Sequence, residues 1–283
     1  MIWIVLAAAL LYVLGVFGLA YAYVHPRTPV QATPTGFADA ILNLKSGPVP
    51  AWVTEGLASS CPMSGMVLIL VHGYRGDRSS WKEAATDLKQ QPVELVIPAL
   101  PGHDANPDPK CGFTFKERRI VAEMAAWVRS RYESPPRIVL MGISMGGAAC
   151  WLASEIDPTV DAVITEGALV HLPETTDRWL DRVVPGGRFL LAPVKWIAEK
   201  MAGVECRNVD VLAAAKSWKG RPALVIQGEM DRLIPMADAL VLAEAAGCEL
   251  WVVPEARHAH CYRQARRAYL GKVLETLSRI QGE

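Results

Sequence analysis

Three residues of this 283-residue chain can combine into one reaction: Ser144, Asp231 and His258, in that order. A serine hydroxyl is a weak nucleophile until a base takes its proton, and histidine does this near neutral pH. A carboxylate behind the imidazole fixes its tautomer and stabilises the imidazolium. Such a set performs acyl transfer through a covalent acyl-enzyme. Ser144 lies in Gly142-Ile143-Ser144-Met145-Gly146, a Gly-x-Ser-x-Gly pentapeptide. Ahead of it, residues 137–141 form a short, mostly apolar run; behind it, residues 147–153 are small and apolar. That pattern predicts strand, sharp turn and helix, the setting in which this pentapeptide presents its serine from a strained backbone. Its two glycines remove Cβ atoms that would otherwise collide in the turn.

The other candidates also fall just past predicted strands. A buried parallel strand reads as a continuous apolar run. One such run occupies residues 66–74 and ends in His72-Gly73-Tyr74. Another begins at Pro222 and leads through Gly228 to a loop carrying Asp231. A third, residues 249–253, leads through Pro254-Glu255-Ala256-Arg257 to His258. The developing oxyanion needs two preorganised donors. The backbone N–H of Met145 follows the nucleophile directly, and that of Tyr74 lies in the loop after the first long strand. Two roles have competitors. Glu166 ends the strand before the insertion and could supply the acid in place of Asp231. His260 lies two residues after His258, although the Pro-x-Ala-x-His spacing favours the earlier residue. His72 and His103 read as loop-shaping residues, and His25 and His171 have no evident partner.

From about Trp52 to the C-terminus the chain resembles the α/β-hydrolase superfamily. The resemblance rests on His72-Gly73, Leu100-Pro101-Gly102-His103, the Ser144 pentapeptide, residues 228–235 and His258. Within the superfamily it is similar to the monoacylglycerol-lipase and serine-aminopeptidase-like branch. This implies the triad Ser144, Asp231 and His258, and a small cap inserted at about residues 169–206. That segment interrupts the strand–helix alternation with Pro173, Pro185 and Pro193. Its Trp179, Phe189, Leu190, Leu191 and Trp196 are expected to bind substrate by lining or covering an acyl pocket.

The elements that must position these groups follow from periodicity. Helices are expected at 80–90, 115–132, 236–246 and 262–280, strands at 93–98 and 160–165, and an early antiparallel strand at 51–57. Repeated strand–helix units imply an α/β fold with a mainly parallel sheet covered on both faces. A composition of 51% hydrophobic and 20% charged residues suits one domain with a large core. Basic and acidic residues balance at 29 each, so no positive field draws nucleic acid. There is no Walker loop and no Rossmann glycine pattern after a strand, so no cofactor is expected. The six cysteines include no Cys-x-x-Cys pair, so no metal site is expected either. Cys150 reads as core, and Cys61 and Cys111 could pair outside the cytoplasm.

Residues 2–24 carry no charge and are long enough to cross a bilayer as a helix. Trp3, Tyr12, Tyr21 and Tyr23 include aromatics at both ends, where such rings favour the interface. A cleaved signal peptide is the rival reading, with Ala20-Tyr21-Ala22 as its cleavage site. Against it, no Lys or Arg precedes the run, which also exceeds the usual signal core. The organisation expected is therefore a transmembrane anchor at 1–24, an extended proline-rich linker at 25–36 and a hydrolase domain at 37–283. Arg27 leans towards a cytoplasmic domain by the positive-inside rule, a thin basis that leaves the side of the membrane open. The function expected is a membrane-anchored, single-pass serine hydrolase cleaving a small-molecule acyl or lipid ester. A thioester, a peptide, or acyl transfer to an alcohol suits the same triad, since leaving-group choice lives in pocket shape. A non-catalytic binding module would lack a triad member, and none is missing. A dehalogenase would need a carboxylate where Ser144 stands.

Overall fold

The computed structural model describes residues 1–58, 65–205 and 209–281. Its centre is an eight-stranded sheet in the order β1-β2-β4-β3-β5-β6-β7-β8. The strands are β1 (Phe37–Leu44), β2 (Gly47–Thr54), β3 (Met66–Val71), β4 (Glu94–Pro98), β5 (Arg137–Ile143), β6 (Ala162–Glu166), β7 (Ala223–Gly228) and β8 (Glu249–Val253). From β4 to β8 all neighbours are parallel, while β1 and β2 pair antiparallel and β2 joins β4 antiparallel. All six residues of β3 are buried, because helices cover both faces of the centre.

One face is covered by α4 (Glu117–Arg129), α5 (Met145–Ile156), α9 (Val211–Ser217) and α10 (Met236–Ala246); α3 (Lys82–Leu88) and α12 (Arg266–Gln281) cover the other. Short helices α2 (Glu55–Ala58) and α11 (Cys261–Gln264) complete the domain. Three details depart from the sequence reading. The early strand expected at 51–57 is β2, which ends at Thr54, and the chain turns helical from Glu55. The hairpin partner β1 was not foreseen. The single helix expected at 262–280 is broken at Ala265, where φ is −136° and ψ is 45°. The proposed pairing of Cys61 with Cys111 falls on residues 59–64, outside the described residues.

Between β6 and β7 the chain inserts α6 (Leu172–Val183), α7 (Gly187–Leu190) and α8 (Ala192–Ala202). This insertion packs against α1 (Ile2–Val24), the uncharged N-terminal helix. At about 1.5 Å per residue, the 23 residues of α1 reach far enough to cross a membrane. Its first half is exposed, but Val16, Ala20, Tyr23 and Val24 are buried in the domain. The Tyr23 ring stacks between Phe113 and Trp179, at centroid distances of 4.6 and 4.7 Å. The Tyr12 hydroxyl donates to the Leu190 carbonyl at 2.7 Å. The stretch 25–36 has no helix or strand at 25–34 and is held to the surface rather than loose. Arg27 N donates to Gly102 O at 3.0 Å, Asp104 N to Thr28 Oγ1 at 2.8 Å, and Gln31 Nε2 to Asp77 Oδ2 at 3.1 Å.

Candidate active site

Ser144 stands between β5 and α5 with φ 54° and ψ −118°, a conformation that L-residues rarely adopt. The surrounding packing imposes it. A Cβ on Gly142 would lie 2.4 Å from Gly146 O, and one on Gly146 would lie 2.3 Å from Val71 O. Only glycine lets β5, the turn and β3 approach this closely. The turn is tied down by Ser144 N donating to Glu166 O at 2.9 Å and Leu169 N donating to Ser144 O at 3.2 Å.

Asp231 follows β7 and His258 follows β8, so the parallel sheet delivers all three side chains to the same strand ends. His258 Nε2 lies 2.9 Å from Ser144 Oγ, and its Nδ1 lies 2.6 Å from Asp231 Oδ2. The other oxygen, Asp231 Oδ1, accepts from Leu233 N at 2.8 Å and Ile234 N at 2.9 Å. These two donors fix the carboxylate with its free oxygen facing the imidazole. A carboxylate facing Nδ1 holds the proton there and leaves Nε2 open to take one from the serine.

Neither competitor occupies these positions. Glu166 is buried, and its Oε1 accepts from Cys261 N at 2.8 Å. Burial pushes its carboxyl above the usual range. The His260 ring is exposed, with Nδ1 2.6 Å from the His258 carbonyl oxygen. Gly167 is a residue that sequence reasoning missed. It adopts φ +53°, and a Cβ there would lie 3.2 Å from Asp231 Oδ2 and 3.3 Å from His258 Nδ1. The signal was present as a glycine directly after a strand, but its significance depends on two loops distant in sequence.

Met145 follows Ser144 as the first residue of α5, and Tyr74 lines the cavity over Ser144. The Tyr74 loop is built from several sides. Gly73 packs so closely that its Cβ would lie 3.1 Å from Ser144 Cβ. Arg75 N donates to His103 Nε2 at 3.0 Å, and Leu100 N donates to His72 Nε2 at 3.2 Å. Both imidazoles therefore carry their proton on Nδ1, facing the carbonyls of Pro101 and Gly73. Burial lowers the pKa of His72 to about 4 and that of His103 to about 3, which keeps both neutral. Arg78, just beyond the loop, is buried and pairs with Asp104 at 2.7 Å. The Tyr74 hydroxyl donates to the Tyr23 carbonyl at 2.9 Å, joining this loop to α1.

The cavity over Ser144 holds about 260 Å³, and its apolar wall comes from Trp81, Ala84 and Ile143. The structure differs here from the expected cap. None of Trp179, Phe189, Leu190, Leu191 and Trp196 lines this cavity. Trp179 and Leu191 are half-buried, whereas Phe189, Leu190 and Trp196 are exposed. Trp196 borders a different, apolar cavity together with Tyr23, Phe113 and Leu172. The physical reason is α1. Its Tyr23 stacks on Trp179, which faces α1 and not the serine, while Phe189, Leu190 and Trp196 stay on the surface.

Residues 68–269 match the alpha/beta hydrolase family. The chain is 24% identical over 190 residues to a thermostable monoacylglycerol lipase of Bacillus sp. (strain H-257), covering 62% of this chain and 74% of that protein. It is 33% identical over 113 residues to protein ABHD8 of Mus musculus, covering 39% of this chain and 25% of that one. Among solved structures it is similar to an esterase of Pyrococcus furiosus, with a TM-score of 0.73 and 19% identity over 89% of this chain and 97% of that one. It is also similar to a membrane phospholipase A described as a bacterial virulence factor, with a TM-score of 0.63 and 17% identity over 100% of this chain and 97% of that one. With the family matched over most of its length and the sheet order in place, the chain belongs to the alpha/beta hydrolase family.

Proposed function

We propose that this protein is a membrane-anchored serine hydrolase that cleaves carboxylic esters, with acyl or lipid esters as substrates. The observation that carries the reading is the hydrogen-bonded line from Ser144 Oγ through His258 to Asp231, at 2.9 and 2.6 Å. Ser144 attacks the ester carbonyl while His258 takes its proton. The N–H groups of Tyr74 and Met145 receive the oxyanion, and the N-terminal end of α5 favours the same charge. His258 then protonates the departing alcohol. Water repeats the sequence on the acyl-enzyme and releases the acid. The uncharged length of α1 supports anchoring. The burial of Tyr23 and Val24 within the domain supports retention of the helix.

A fluorophosphonate probe tests the nucleophile, and a chain-length series of p-nitrophenyl esters tests the pocket. Labelling is expected at Ser144. kcat/KM is expected to rise by roughly three- to fourfold per added methylene until the cavity is full, as about 0.8 kcal/mol of burial implies. Absence of labelling, or a flat series, would count against the ester-hydrolase reading. The acid can be tested separately. Asp231→Asn presents the wrong group to Nδ1 and is expected to cost about a thousandfold or more in kcat. Glu166→Gln keeps an acceptor for Cys261 N and is expected to cost less than about tenfold. The reverse order would move the acid to Glu166.

A further inference from the structure

A third cavity, of about 340 Å³, adjoins His258 and is not lined by Ser144. It is lined by Arg182, Met230, Arg232, Arg257 and His258. The three arginines come from three separate parts of the chain: α6, the loop after β7 and the loop after β8. All three are exposed. None takes part in an ion pair among the described residues, whereas Arg78, Arg129, Arg137, Arg178 and Arg188 each have a carboxylate partner. In a chain whose charges balance at 29 each, this cleft is a local excess of positive charge beside the general base. Like charges gathered in one concave site raise its potential and attract an anion.

The reaction assigns a direction to that cleft. In acylation the Ser144 Oγ–carbonyl bond forms and the ester C–O bond breaks. The serine proton passes to His258 Nε2 and from there to the leaving oxygen. The alcohol portion of the ester therefore departs beside His258, while the acyl portion stays on Ser144, in the cavity walled by Trp81, Ala84 and Ile143. We propose that Arg182, Arg232 and Arg257 bind an anionic group on the leaving alcohol, so that the preferred substrates are esters of a phosphate-bearing alcohol. Guanidinium groups match phosphate oxygens in paired, charge-assisted hydrogen bonds. The proposal rests on the serine-hydrolase reading of the same site and adds to it the chemistry of the leaving group.

The test compares kcat/KM for the monodecanoyl esters of glycerol, glycerol phosphate and glycerophosphocholine, with the full chain held in detergent. The phosphate ester is expected to exceed the neutral one by about tenfold per engaged arginine. The advantage should shrink as salt is added. The choline ester separates the sources of phosphate: equal preference for it points to a diester headgroup, and a preference for the bare phosphate points to a monoester. Under either outcome, Arg232→Gln and Arg257→Gln should each move the phosphate-to-neutral ratio towards unity, with thermal unfolding used to verify that each variant is folded. If the neutral ester is cleaved as well as both phosphate esters, or if the double variant leaves the ratio unchanged, the arginine proposal is overturned and the hydrolase reading stands. If no ester is cleaved and the fluorophosphonate does not label Ser144, both are overturned.

Discussion

Ser144→Ala is expected to abolish fluorophosphonate labelling and to lower kcat/KM by about a thousandfold or more, leaving only what the oxyanion donors and binding supply. The size of the loss follows from the geometry. His258 Nε2 has Ser144 Oγ as its partner at 2.9 Å, and among the described residues no other hydroxyl is hydrogen-bonded to it. The fold should survive. Alanine keeps the Cβ and the strained backbone, and only one partly exposed hydroxyl is lost, so stability should change by less than about 1 kcal/mol. That separates the variant from a change in the turn itself. Gly146→Ala would place a Cβ 2.3 Å from the Val71 carbonyl oxygen and must push β3 away from the turn. The experiment is therefore read in two columns, turnover and the midpoint of thermal unfolding. Turnover above about one-thousandth of the parent, in a folded variant, would place the nucleophile elsewhere.

The turn that carries Ser144 was legible because its logic is local. A strand, two glycines around a serine and a small-residue helix lie within about twenty contiguous positions, and the close approaches at Gly142 and Gly146 follow from them. Asp231 and His258 were legible for a related reason, each closing a short loop after an apolar strand. What supports them was not. Gly167 matters because a Cβ there would lie within 3.3 Å of both partners, and His103, legible only as a loop-shaping residue, accepts from Arg75 N in a loop distant from its own. Both relations join loops that no periodicity connects. Strand β1 was missed because one face carries Asp39 and Asn43 around an exposed Ile41 and the other carries Ala38 and Ala40, a weak strand signal that its antiparallel register with β2 overrides. The packing of α1 was hidden by its own composition. A helix that is apolar all round gives no amphipathic stripe, so the face that meets α8 reads the same as the face that would meet lipid.

That hidden face leads to an expectation opposite to the one sequence alone suggests. If α1 were a tether on a loose linker, removing residues 1–36 would free an intact, active domain. The structure instead makes the last turns of α1 part of the core. Removing them would strip Val16, Ala20, Tyr23 and Val24 from the cap and expose the apolar surface beneath. It would also take away the carbonyl that receives the Tyr74 hydroxyl and the one that receives Cys111 N. Since Tyr74 supplies one of the two proposed oxyanion donors, the loss should reach catalysis as well as stability. The truncated chain is expected to aggregate or to unfold at a markedly lower temperature. A gentler variant isolates the cause. Tyr23→Ala keeps the whole helix and its backbone carbonyl but deletes the ring held between Phe113 and Trp179, a change expected to cost about 3 kcal/mol. Tyr23→Phe keeps the ring and loses the hydroxyl contact with Thr176, at about 1 kcal/mol. Denaturant unfolding in detergent measures both stability changes, and kcat/KM on a soluble ester measures whether either reaches the oxyanion loop. If Tyr23→Ala and the truncated chain both keep the parent's stability and turnover, α1 is a tether and nothing more. If stability falls while kcat/KM holds, the helix supports the cap but not the oxyanion loop. A fall in both is the expected result, because the Tyr74 ring packs edge-on against Tyr23 at 5.2 Å and Tyr74 lines the cavity over Ser144.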